Sequence, residues 1–125
     1  MYTNIEAAKQ LVKKYREVTI AELKKLFKVY PNGEDIMREI TGFGSTSTCM
    51  LCQDVGIIER ENVCKDCVWY SLFPIDDYPC ITHKTYYRIE EATDALELKQ
   101  ALLDRAELLE EAIYKAEEEN ENTGE

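Results

Sequence analysis

Over the first thirty positions, apolar residues recur at the spacing of one helical face. Ile5, Ala8, Leu11, Val12 and Tyr15 fall every three to four residues, with Lys9, Lys13, Lys14 and Arg16 between them. At about 3.6 residues per turn this puts an apolar stripe on one side and leaves the cations to solvent. Thr3-Asn4-Ile5-Glu6 has the spacing of a capping box, in which a hydroxyl and a carboxylate satisfy the free amides of a helix start, so a first helix is predicted from about Asn4. The signal recurs at Thr19-Ile20-Ala21-Glu22, where Val18 and Leu23 are placed to form a hydrophobic staple, and a second helix is predicted to about Val29. Tyr30-Pro31-Asn32-Gly33 is turn chemistry, after which Glu34 to Thr41 reads as a short third helix stopped by Gly42.

The second half of the chain has a different pattern. Ile89 to Glu118 contains strong helix formers and neither glycine nor proline, and one long amphipathic helix is predicted there. Its stripe is Ala92, Leu96, Leu102, Leu103, Ala106, Leu109, Ile113 and Ala116. Three short helices cannot cover a stripe of that length. Part of it is therefore expected to take a second copy or a partner helix along Leu102, Leu109 and Ile113. Residues 119–125 read as a flexible acidic tail. The fold class expected is mainly α, in a single domain of 125 residues. Its parts are a helical region 1–42, an irregular zinc-stapled segment 43–88, the long helix 89–118 and the tail.

Chemistry is concentrated in the middle segment. Cys49-Met50-Leu51-Cys52 and Cys64-Lys65-Asp66-Cys67 are two Cys-x2-Cys pairs with eleven residues between them. Two intervening residues let a tight turn aim both thiolates at one ion, and two such turns complete the four-thiolate tetrahedron that structural zinc favours at ~2.3 Å per bond. Cys80-Ile81-Thr82-His83 repeats the spacing, so Cys80 and His83 are alternative ligands; a quartet of Cys64, Cys67, Cys80 and His83 is sterically reasonable too. The all-cysteine quartet is preferred because its two pairs are identical and closer together. Iron–sulfur clusters use related spacings and are not separated from zinc by the sequence.

The run Cys49-Met50-Leu51-Cys52, Cys64-Lys65-Asp66-Cys67, Pro79-Cys80 and Tyr86-Tyr87 resembles a pattern of small uncharacterised phage and prophage proteins. Those often read Cys-x-Leu-Cys, Cys-x2-Cys-Pro, then a fifth cysteine and a tyrosine. The resemblance spans about residues 49–87 and departs at Val68, where that pattern often has proline. It implies a mobile-element accessory protein with a cysteine-ligated metal and no assigned catalytic residue.

Several other features read as structure. Gly42-Phe43-Gly44 lacks the Gly-Lys-Ser/Thr of a phosphate loop and the third glycine of a dinucleotide fingerprint, so it is read as a linker. His83 is the only histidine and has no recognisable acid–base partner. Val68-Trp69-Tyr70-Ser71-Leu72-Phe73-Pro74, with Tyr78, Tyr86 and Tyr87, could stack bases or form a small core around the metal; core is favoured, because Asp76, Asp77, Glu90 and Glu91 make the region acidic.

Composition and charge then sort the functional classes. Hydrophobic residues are 45% and charged residues 32% of the chain, and no run approaches the ~20 apolar residues that span a bilayer, so a soluble protein without a membrane partner is expected. The N-terminal residues lack the pattern of a secretion signal, and a cytoplasmic location is expected. There, clustered cysteines serve as metal ligands more often than as disulfides. The net charge of −10 divides into +4 over residues 1–30 and −14 over residues 31–125. An acidic body repels nucleic acid, so DNA or RNA binding is disfavoured. Nucleophile–base arrangements, zincin histidines and deaminase motifs are all missing, and four thiolates leave zinc no open position for water, so an enzyme is not expected. The leading expectation is a small non-catalytic zinc-binding module for protein–protein interaction, acting as an acidic inhibitor or nucleic-acid mimic. The runner-up is a nucleic-acid binder using Lys9, Lys13, Lys14, Lys24, Lys25 and Lys28, with the zinc unit as support.

Overall fold

A computed structural model describes residues 2, 4–41, 67–72 and 84–123. Within them the fold is mainly α. It comprises α1 (Ile5–Glu17), α2 (Ile20–Phe27), α3 (Gly33–Thr41), a 3-10 turn (Val68–Ser71), α4 (Lys84–Glu91) and α5 (Ala95–Thr123). No strand occurs among the described residues. No helix there is long and apolar enough to cross a membrane.

Local chemistry accounts for the helix boundaries. At α2 the Thr19 hydroxyl oxygen accepts the Glu22 N–H at 3.1 Å, and Val18 and Leu23 are both buried, as the staple requires. The helix stops at Phe27, short of the Val29 expected, because the N–H groups of Val29 and Tyr30 both turn back to the Leu26 carbonyl, at 3.0 and 2.9 Å. Asn32 caps α3 by accepting the Asp35 N–H at 3.0 Å. At α1 the N-cap is Asn4, but its side chain makes no cap bond; Thr3, half of the expected box, lies outside the described residues.

The expected single helix over 89–118 is broken in two. α4 ends at Glu91, and α5 starts afresh at Ala95, where Asp94 accepts the Glu97 N–H at 2.8 Å. Asp94-x-x-Glu97 has capping spacing, and the new helix start it provides outweighs the absence of glycine and proline. The break lets α4 fold back on α5, so that Thr85 and Tyr86 meet Arg105. α5 also outlasts the expected helix. It is helical to Thr123, replacing part of the tail expected to fray, and Asn120 is tied to Tyr2 by two backbone–amide bonds of 2.9 and 3.0 Å.

α5 is the spine. α1, α2, α4 and the 3-10 turn all lie against it, while α3 packs on α4, α1 and α2. Its buried face is Leu98, Ala101, Leu102, Arg105, Ala106, Leu109, Ala112, Ile113 and Ala116. Two residues assigned to the stripe are misplaced: Leu96 is 68% and Leu103 37% exposed, whereas Leu98 is fully buried. The stripe is not left over for a partner either. Leu102 and Leu109 are fully buried and Ile113 nearly so, because the 3-10 turn and α4 cover what α1 to α3 cannot. Those three side chains are therefore not on the surface where a second copy or a partner helix was expected to lie.

Electrostatics complete the α1–α5 seam. Arg16 donates to both carboxylate oxygens of Glu110, at 2.7 and 3.2 Å, and Lys9 reaches Glu117 at 3.3 Å. The basic N-terminal helix thus docks on the acidic long one. Arg16 correspondingly holds the Glu110 carboxyl below its usual range, first by hydrogen bonding and then by charge.

Candidate metal centre

Cys67 is the one expected ligand among the described residues. Cys49, Cys52, Cys64, Cys80 and His83 lie outside them, so neither quartet can be read from the geometry. The described residues alone contain no group of three or more potential ligands. The question is then how the fold holds Cys67.

Cys67 has an extended backbone and opens directly into the 3-10 turn; its carbonyl accepts the Tyr70 N–H at 2.9 Å. Its side chain is buried at 5% exposure. Asn4, fully buried, reaches it from the start of α1: the Asn4 Nδ2 donates to Cys67 Sγ at 3.1 Å, and Oδ1 accepts the Val68 N–H at 2.9 Å. The amide orientation follows from chemistry. A backbone N–H can only donate, so the oxygen must face Val68, and the NH2 group is left for the sulfur. The Cys67 sulfur is therefore an acceptor.

The turn is anchored on three further sides. The Ser71 hydroxyl lies 2.7 Å from the Val68 carbonyl and 2.9 Å from that of Ala112, joining the turn to α5. Trp69, 1% exposed, carries the Arg105 guanidinium 4.3 Å above its ring. That guanidinium also lies 5.7 Å from the Tyr86 ring and donates to the Thr85 hydroxyl at 2.8 Å, joining turn, α4 and α5 through one buried cation. Trp69 and Tyr86 are thus core, as favoured from the sequence; Tyr87 is 47% exposed, and Phe73 and Tyr78 fall outside the described residues. Burial first, and then the Glu34 carboxylate, push the Tyr86 hydroxyl well above its ordinary pKa.

Sequence reasoning missed Asn4, Ser71, Lys99 and Arg105. Asn4 reads only as the start of a helix capped by Thr3 and Glu6, and nothing in the sequence pairs it with residues more than sixty positions away. Arg105 could have been found, since it sits in register with Leu98, Leu102 and Leu109, on the buried face where a charge is unexpected. Lys99 caps the other end of α1. Its ammonium donates to the carbonyls of Tyr15, Arg16 and Val18 at 3.2, 2.9 and 2.6 Å, satisfying acceptors a helix C-terminus leaves open. Desolvation there lowers its pKa, with Glu22 acting the other way.

No protein-family model matches this chain, nor does any curated protein or solved structure.

Proposed function

We propose that this protein is a small non-catalytic module in which Cys49, Cys52, Cys64 and Cys67 hold one structural Zn2+ and the helical body presents an acidic face to a protein partner. The observation that carries this reading is the seat of Cys67, a buried sulfur that accepts an amide N–H and belongs to one of the two Cys-x2-Cys pairs of the sequence. A thiol sulfur is a weak acceptor and a thiolate a stronger one. N–H donors that meet a ligating sulfur in this way are what metal sites use to hold their ligands. Four thiolates would close the coordination sphere, so the ion supplies folding free energy rather than chemistry.

Charge supports a protein partner over nucleic acid. Lys9 and Arg16 are already paired with Glu117 and Glu110, which leaves fewer N-terminal cations for phosphates. Along α5, Glu107, Glu111, Glu118 and Glu121 are exposed beyond the carboxylates that meet Lys9 and Arg16, an acidic ridge suited to a basic protein surface. Titration of labelled single- and double-stranded oligonucleotides at physiological salt tests this. We expect affinities weaker than about 10 μM; submicromolar binding would replace this reading with a nucleic-acid-binding one. Metal analysis and absorption of the purified, reduced protein separate zinc, which is colourless, from an iron–sulfur cluster.

A further inference from the structure

The side of α5 turned away from the core carries an apolar line of its own. Leu96 and Tyr114 are eighteen residues apart, five whole helical turns, so they stand in register about 27 Å from each other, with Leu103 within about 20° of the line they define. All three are exposed, Tyr114 the most at 73%. Tyr114 also stands between two concavities. On one side a groove of about 590 Å³ separates α1 from α5, with Val12 and Ile113 in its lining, and on the other a hollow of about 360 Å³ lies beside Leu72.

The charges that flank this line are nearly all of one sign. Glu107, Glu111, Glu118 and Glu121 are exposed and fall within about 60° of it on the helix. Among the described residues, Lys115 is the one cation that α5 contributes to either concavity. The cations on the α1 wall of the groove, Lys9, Lys13 and Arg16, already face Glu117, Glu17 and Glu110.

Resting on the reading of an acidic face that meets a protein partner, and independent of the metal, we infer that the partner docks along Leu96, Leu103 and Tyr114 and presents a basic amphipathic helix. Apolar positions that recur at whole turns over about 27 Å match a second helix of about 18 residues laid alongside α5. Its apolar side chains cover the two leucines and enter the groove beside Tyr114, while arginines or lysines on its flanks meet Glu107, Glu111 and Glu118. An arginine over the exposed Tyr114 ring adds a cation–π contact. A second copy of this chain does not fit. The same face on two copies opposes carboxylate to carboxylate, α1 is already docked on α5, and the basic α2 has eight residues, about 12 Å, under half the line.

Fluorescence anisotropy on the full chain at physiological salt tests the inference with labelled peptides of about 20 residues. One is a helix former with leucines along one face and arginines on both flanks, the second a scrambled peptide of the same composition, and the third the patterned peptide with glutamate for arginine. The patterned basic peptide is expected to bind at least about tenfold more tightly than the scrambled one, and Leu103→Gln and Tyr114→Gln each to weaken it about fivefold or more, the scale of losing an interface anchor. The glutamate peptide is expected not to bind. Both substituted side chains are exposed, and should either variant fail to fold, the other variant and the peptide comparison still decide. Equal binding of patterned and scrambled basic peptides, or affinities within about twofold of wild type in both variants, overturns the docking line and leaves the acidic-face reading standing. No binding of either basic peptide at about 100 μM overturns both. A scattering mass that doubles without peptide and returns to the monomer in Tyr114→Gln gives the line to a second copy and overturns the inference.

Discussion

Gly33 shows how one hydrogen atom in place of a methyl group can determine a helix–helix contact. A Cβ built there would fall on the carbonyl of Ile89, with the Leu98 side chain at 3.2 Å, because the start of α3 presses against the end of α4 where α5 begins. The obstacle is backbone, which cannot rotate away. Gly33→Ala is therefore expected to destabilise the fold by about 1–3 kcal/mol, the scale of overpacking, although glycine-to-alanine changes at compatible sites stabilise; urea denaturation of the pair measures it. On α4, Glu90 has its pKa raised by desolvation and then by the neighbouring Glu34 and Glu91. A carboxyl raised in the folded state favours folding while protonated, and that contribution is lost as pH rises through the folded value. Glu90→Gln should thus stabilise the protein at neutral pH, by no more than about 0.5 kcal/mol at this exposed position. Its advantage should vanish once the pH falls below the ordinary carboxylate range, which melts at pH 7 and pH 3.5 would reveal. Neither site is legible in the sequence, since the meaning of each residue lies in another helix.

At the scale of elements, local signals were legible and tertiary ones were not. α1 follows from apolar periodicity, and α2 and α3 from short-range caps, both of which operate within a few residues. The division of α4 from α5 was legible in principle, in Asp94-x-x-Glu97, but a stretch free of glycine and proline argued for continuity. Asp94→Ala should cost about 1 kcal/mol through the lost cap, measured by thermal melting followed by circular dichroism. The side of α5 that is buried depends on what covers it, which explains why Leu98 was overlooked and Leu96 and Leu103 were assigned inward. The charge division along the chain has a counterpart in the fold, where the basic α1 meets the acidic α5 through Arg16–Glu110 and Lys9–Glu117. These pairs are exposed, so solvent screens them and each contributes little. Arg16→Glu, which faces Glu110 and Glu107, should lower the melting temperature at low salt. Most of that loss should disappear near 1 M salt, where the screening length is about 3 Å; a loss independent of salt would mean packing, not charge, was disturbed.

For the whole molecule, the decisive relation is between a helical body with its own core and a cysteine-bearing segment tied to that body through Cys67. Because Leu102, Leu109 and Ile113 are already buried, the chain is expected to be monomeric in light scattering at tens of micromolar, and a partner to meet its charged exterior instead. The Cys-x2-Cys spacing was fully legible and gives the proposed metal site its candidate ligands, whereas the seat of Cys67 on Asn4, Val68 and the 3-10 turn required the fold. The central claim is that the cysteine quartet holds one structural metal. Elemental analysis of freshly purified, reduced full-length protein tests it most directly: the account predicts about one zinc per chain, removed by chelator with loss of thermal stability, and less than about a tenth of an equivalent of any metal would contradict it.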